Sequence, residues 1–165
     1  MTSRSPSRMD FDAAAAQEII AGHAAEPGGL LEALNALQAR FGCIDKALIA
    51  PLADAFNLSR AEVHGVISFY HDFRDRPPGR HVVRICQAEA CQAMGARGLT
   101  AHAKQALGID LGETGAGEGV TLEPVYCLGN CAAAPAVMID GAVHGRVDAG
   151  RFDALIAACR KGGRA

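Results

Sequence analysis

The sequence predicts an α+β protein, a helical half followed by a half that mixes short strands with helices. Three observations predict it. Between Asp10 and about Phe73 the apolar residues recur at steps of three and four, the spacing of one face of a helix. The run Asp75-Arg76-Pro77-Pro78-Gly79-Arg80 then breaks that period with two prolines and a glycine. Beyond it, His81–Ile85 and Val120–Tyr126 read as strands with a helical stretch between them. The expected organisation is a mobile tail over 1–9, a helical bundle over 10–76 and a mixed domain over 80–162.

The tail is polar and basic, without periodicity. The first helix is marked by Phe11, Ala15 and Ile19, and the second by Leu30, Leu34, Leu37 and Phe41. Leu48, Leu52 and Phe56 continue the pattern. Pro51 cannot sit deep inside a helix, because it lacks a donor and its ring clashes one turn back. A turn over 45–49 is therefore expected, with a helix restarting so that Pro51 falls in its first turn. Ser59-Arg60-Ala61-Glu62 is a capping box that opens the fourth helix, and Leu58 and Val63 occupy the positions of a hydrophobic staple. At least two of Phe69, Tyr70 and Phe73 are expected to fill the seam between the two modules, with packing on a partner as the alternative.

In the second half, the strand from His81 ends at Cys86. Gly95 to about Leu107 reads as a helix, and glycine-rich 108–119 as a loop. A second strand over 120–126 ends at Cys127. Ala136–Ile139 and Ala142–Val147 flank Asp140-Gly141, a two-residue hairpin turn. Asp148 can cap a last helix from about Arg151 to Lys161.

Composition limits what such a chain can do. Net charge is −2, against the basic excess that nucleic-acid or membrane-surface binding requires. The longest apolar run, Cys131 to Ile139, is nine residues, where a membrane span needs about 20. No signal-peptide pattern is found, so a cytoplasmic location is expected. In that reducing compartment six cysteines favour metal or redox chemistry over disulfides. Motifs for phosphate loops, dinucleotide binding, hydrolase nucleophiles and C-x-x-C redox centres are missing. Gly115-Ala116-Gly117-Glu118-Gly119 has the wrong last gap for a phosphate loop and reads as a flexible loop. The chain offers no site for substrate chemistry.

Four cysteines form two close pairs, Cys86-x4-Cys91 and Cys127-x3-Cys131, with 35 residues between them. Each pair begins where a strand ends, so two neighbouring strands would bring both pairs to one edge of a sheet. Four thiolates there make a soft site that suits zinc or an iron–sulfur cluster. The spacing favours the larger diiron cluster and leaves zinc open. Gly129, Asn130 and Ala132–Ala134 are small enough for backbone N–H groups to approach sulfur, and equally suit an ordinary tight turn. Cys43 and Cys159 read as core thiols, and the six histidines show no ligand spacing. Arg84 and Arg97 flank the first pair and could offset negative charge, although solvent-facing roles suit them as well.

The segment from Leu58 to Tyr70, the Cys86-x4-Cys91 pair and Cys127-Leu-Gly-Asn-Cys131-x3-Pro135 carry a resemblance. They resemble the small [2Fe–2S] subunit shared by NADH dehydrogenase, NAD-reducing hydrogenase and NAD-dependent formate dehydrogenase. The resemblance runs from about residue 12 to 160. It implies a helical bundle followed by a thioredoxin-like ferredoxin domain, with Cys86, Cys91, Cys127 and Cys131 as ligands of one [2Fe–2S] cluster. Glu89–Gln92, Gly79–Val83 and Val147–Leu155 resemble in particular the gamma subunit of the cytoplasmic molybdenum formate dehydrogenase. The resemblance therefore implies a non-catalytic electron-transfer subunit. Its partners would be an FMN- and NAD-binding subunit and a molybdenum- and iron–sulfur-bearing subunit that oxidises formate. A one-electron cluster cannot deliver a hydride, so a flavin that takes both one- and two-electron steps is needed between it and NAD. The equivalent subunits of NADH dehydrogenase or NAD-reducing hydrogenase, and more remotely a structural zinc adaptor, are the alternatives.

Overall fold

The computed structural model describes residues 12–116 and 119–161. The expected tail, Asp10 and Phe11 at the start of the expected bundle, Gly117 and Glu118 of the glycine-rich loop, and residues 162–165, which include the expected end of the mixed domain, lie outside the described residues. The chain divides between Pro77 and Pro78 into two compact units.

Among the described residues, the first unit holds four helices, α1 (Ala13–His23), α2 (Gly29–Phe41), α3 (Ile49–Phe56) and α4 (Arg60–Phe69). Each boundary has a local cause. The Asp12 carboxylate accepts from the N–H groups of Ala14 and Ala15 at 3.1 Å each, satisfying donors that the first turn of α1 leaves free. Asp45 starts a 3-10 turn over Lys46–Leu48 by accepting from Ala47 N–H at 2.8 Å, and α3 follows with Pro51 in its first turn. Asn57, at φ 51°, ends α3 in the left-handed conformation that asparagine tolerates. The capping box is complete: Ser59 Oγ accepts from Glu62 N–H at 3.2 Å, and Glu62 Oε2 accepts from Ser59 N–H at 2.8 Å.

Ile20, Leu34, Leu37, Leu48, Leu52 and Val63 form the centre of this core. Each such side chain contributes about 1.5–3 kcal/mol through burial. Leu58 packs on the same core beside Val63, as the staple requires. Phe73 also packs there, whereas Phe69 and Tyr70 stay exposed at 73% and 42%.

The second unit is a five-stranded sheet with three helices. In chain order these are β1 (His81–Cys86), α5 (Glu89–Ala93), α6 (Ala96–Leu107), β2 (Glu113–Thr114), β3 (Val120–Val125), β4 (Val137–Ile139), β5 (Ala142–His144) and α7 (Ala149–Lys161). The strands lie in the order β2-β3-β1-β4-β5. β1 and β3 are parallel neighbours, from His81 opposite Val120 to Cys86 opposite Val125, and the remaining pairs are antiparallel. Val83, Ile85, Leu122, Val137 and Ile139 pack with Leu99 and Ala103 of α6 and Phe152 and Ile156 of α7. The Asp140-Gly141 turn has both residues at positive φ, 49° and 90°, as a primed hairpin turn needs.

Several boundaries differ from expectation. The hairpin strands are shorter, because Gly145 and Arg146 (φ 51°) leave the sheet and turn onto the second cysteine loop. The last helix begins at Ala149, with Asp148 accepting from Arg151 N–H at 2.8 Å. The glycine-rich loop contains the two-residue β2, and α5 is an additional short helix. Among the described residues, no helix is long and apolar enough to cross a membrane.

Candidate metal centre

Parallel pairing of β1 with β3 brings the two cysteine pairs to the same end of the sheet. Cys86 is the last residue of β1, and Cys91 sits on α5, which follows at once. Cys127 lies two residues beyond β3 at φ 143°, and Cys131 opens a 3-10 turn over Cys131–Ala133.

The pairs occupy opposite environments. Cys86 and Cys91 are each 2% exposed and form a small core of their own with Ala96, Ala134 and Ala136. Cys127 and Cys131 are exposed, with their Sγ atoms 3.9 Å apart. Gly129, at φ 74°, lets the chain double back so that its N–H donates to Cys127 Sγ at 3.3 Å.

The four sulfurs act on one another. Burial pushes the Cys91 thiol up, and the side chains of Cys86 and Cys131 push it further, against a hydrogen bond from Ala136 N–H that favours the thiolate. The Cys131 thiol is raised first by its contact with Cys127 and then by burial and by Cys86. Each pair therefore lies within electrostatic reach of the other. Bound cations reverse this effect, since they stabilise thiolates that otherwise repel.

Backbone flanking β4 and β5 frames these loops. Ala136 C=O accepts from Cys86 N–H at 3.1 Å while Ala136 N–H serves Cys91, so one peptide segment touches both buried ligand positions. Arg146 N–H donates to Ala133 C=O at 2.6 Å, and Val147 N–H to Pro135 C=O at 3.0 Å. At Gly145 an added Cβ would fall 2.7 Å from the Ala133 Cβ and 2.7 Å from Asn130 Nδ2. The hairpin thus lies directly against the second cysteine loop. A groove of about 550 Å3 opens beside it, lined by Met94, Leu99, Ala132, Pro135 and Arg146.

The donor set fits an iron–sulfur cluster: four soft thiols in two pairs, with N–H groups directed at Cys91 and Cys127. Among the described residues, no three His, Cys, Asp or Glu side chains converge as a ready site for a single metal ion. Cys159 packs against the sheet core, and burial pushes its thiol up, with Asp140 adding to the effect. Cys43 belongs to the first unit, where burial and then Asp45 and Asp75 raise its thiol.

Sequence reasoning did not single out Ala136 or Gly145. A backbone donor and a missing Cβ leave no chemical signature in the sequence. Arg84 is not a free cation: its Nε donates to Glu123 Oε2 at 2.9 Å across the β1–β3 pair.

Comparison with known proteins converges on one family. The family described as thioredoxin-like [2Fe–2S] ferredoxin matches residues 16–160. A subunit of the NADH-quinone oxidoreductase of Pseudomonas aeruginosa is 38% identical over 117 residues, 71% of this chain and 70% of that one. The HndA subunit of the NADP-reducing hydrogenase of Solidesulfovibrio fructosivorans is 32% identical over 130 residues, 79% of this chain and 76% of that one. Among solved structures, a chain of an NAD+-reducing [NiFe]-hydrogenase in its H2-reduced state matches 78% of this chain at 35% identity and a TM-score of 0.64. The present chain spans only 22% of that hydrogenase chain.

Proposed function

The chain belongs to the thioredoxin-like [2Fe–2S] ferredoxin family, and from that premise we propose that Cys86, Cys91, Cys127 and Cys131 together hold one [2Fe–2S] cluster. The observation that carries the proposal is the meeting of two thiol pairs at adjacent parallel strand ends. When bound, the cluster supplies a store for a single electron. The chain's own residues supply the rest. Cys86 and Cys91 hold one side in a water-poor setting, and Cys127 and Cys131 hold the other at the surface. Ala136 N–H and Gly129 N–H offset negative charge on sulfur.

The assembly is an electron-transfer subunit of an NAD-linked oxidoreductase. Its immediate partner is the subunit that carries FMN and binds NAD. The residues expected to form the helical bundle, 10–76, favour a subunit over a free-standing ferredoxin, since a bare carrier has no use for them. Within this class we assign the chain to a cytoplasmic NAD-dependent formate dehydrogenase, whose further partner oxidises formate at molybdenum. The support is the likeness of Gly79–Val83, Glu89–Gln92 and Val147–Leu155 to the gamma subunit of that enzyme.

Anaerobic purification from native cells tests both levels. Two irons and two sulfides per chain, with a paramagnetic signal after dithionite, are expected. A colourless chain with one zinc at the four thiols overturns the cluster. Co-purifying formate-dependent NAD reduction is expected of the complex. Hydrogen-dependent NAD reduction, or NADH oxidation linked to quinone, overturns the formate assignment and leaves the cluster standing.

A further inference from the structure

A chain of side-chain hydrogen bonds runs beside the buried thiols. Arg97 Nε donates to Gln92 Oε1 at 3.0 Å. Gln92 Nε2 donates to Gln87 Oε1 at 3.2 Å. Gln87 Nε2 donates to Thr100 Oγ1 at 3.0 Å and to Ile85 C=O at 3.2 Å. The Thr100 hydroxyl then donates to Ala96 C=O at 2.8 Å. Ala96, Arg97 and Thr100 all lie in the first turns of α6, so the chain leaves that helix and returns to it. On its way it collects Gln87, which follows Cys86, and Gln92, which follows Cys91.

The ring has one polarity, and Arg97 sets it. A guanidinium only donates, so Gln92 must present its oxygen to Arg97. That turns the Gln92 amide nitrogen toward Gln87, whose oxygen must accept. The Gln87 nitrogen then faces Thr100, whose proton is left for Ala96 C=O. Hydrogen bonds aligned in this way reinforce one another. Thr100 is buried, and Gln87 and Gln92 are half-buried, so water competes weakly for them.

Charge distinguishes this ring from ordinary packing. Arg84, the other cation flanking the buried pair, is neutralised by Glu123. Arg97 meets a neutral amide instead, and among the described residues no carboxylate pairs with it. We propose that Gln87, Gln92 and Arg97 are positioning residues that fix the Cys86–Cys91 loop to α6 and tether one positive charge, exposed to solvent, to the residue that follows Cys91. The inference rests on the cluster reading above, because a positive charge held there eases electron uptake by a group that is already negative.

The test compares reduction midpoints, followed by EPR in the purified complex, with iron content and far-UV dichroism recorded for each variant. Arg97→Gln is expected to move the midpoint to a more negative value without loss of iron or fold. Arg97→Glu should move it further in the same direction, and Arg97→Lys should recover most of the wild-type value. Gln92→Leu, which releases the guanidinium, should also lower the midpoint. In the metal-free complex it should speed amide hydrogen exchange across residues 87–92 by at least tenfold. Lys104→Glu, at a lysine already paired with Asp110, is the distance control about 10 Å further along α6 and should shift the midpoint less than Arg97→Glu does. Equal shifts from Arg97→Glu and Lys104→Glu, or none from either, overturn the charge role. Unchanged hydrogen exchange in Gln92→Leu overturns the positioning role. A wild-type complex whose chain holds no iron sinks the cluster reading instead, while the exchange measurement still decides the positioning role.

Discussion

The two cysteine pairs invite direct comparison, because each follows a strand end yet they live in different solvents. Cys86 and Cys91 sit in a small alanine-lined core, and Cys127 and Cys131 stand at the surface. The first pair is organised by packing, by Ala136 and by the glutamine ring. The second is organised by backbone conformation, with Cys127 and Gly129 at positive φ. The difference teaches that one site can be rigid on one side and open on the other. If the four thiols hold the proposed cluster, packing would fix the geometry of the buried pair, and the exposed pair would leave a route for metal and for electrons.

Removing a ligand gives the largest effect. Cys91→Ser should cut bound iron on the order of tenfold or more, since burial disfavours the charged alkoxide that serine would have to supply. Cys131→Ser, in the solvated pair, should retain a larger fraction. Equal losses measured by iron assay would erase the contrast between the pairs. Next comes the support beneath the buried pair. Ile85→Ala, at a fully buried position adjoining Cys86, should cost about 2–5 kcal/mol in denaturant unfolding. A cost below 1 kcal/mol would mean that the sheet does not brace that side.

Alkylation of the metal-free chain sharpens the comparison. Mass spectrometry should find Cys127 and Cys131 labelled first, with Cys86 and Cys91 slower by at least about tenfold, because their labelling requires local opening. Gly129→Ala should destabilise by about 1–2 kcal/mol through its positive φ alone, as no atom lies within 4 Å of the added Cβ. The smallest effect concerns a thiol outside both pairs. The Cys159 thiol is raised by burial first and by Asp140 second, so the folded chain keeps that proton to higher pH than the unfolded chain does. Its contribution to stability is fully present below about pH 8.5 and is lost as pH rises through the raised value. Cys159→Ala should flatten the fall in denaturant midpoint above that pH.

Much of this arrangement could be read from the sequence where the signal is local. The Ser59–Glu62 box, the Asp140-Gly141 turn, the placement of Pro51 and the strand ending at Cys86 each depend on a few neighbouring residues, and each forms as expected. The convergence of both pairs on one sheet end also followed, because it needs only that β1 and β3 be neighbours. Features that depend on distant partners were not legible. α5 is five residues without a side-chain cap, too short for any period to register. β2 is two residues whose pairing exists only because β3 runs alongside. The burial of the first pair arises from Ala96 of α6 and from Ala134 and Ala136, residues distant in the chain that no local pattern around Cys86 and Cys91 encodes. Arg97 read as a possible offset to charge or a solvent-facing residue; its tie to Gln92 depends on how α5 meets α6. The Cys-Gln dipeptide repeated at 86–87 and 91–92 is the one trace that could have drawn attention to the ring.

The sheet's outer strands carry a further consequence. β2 is two residues long and β5 three, so neither margin offers the long row of unpaired N–H and C=O groups that another chain could extend. Exposed thiols such as those of Cys127 and Cys131 make self-association a hazard. Blunt margins close the commonest route to such self-association.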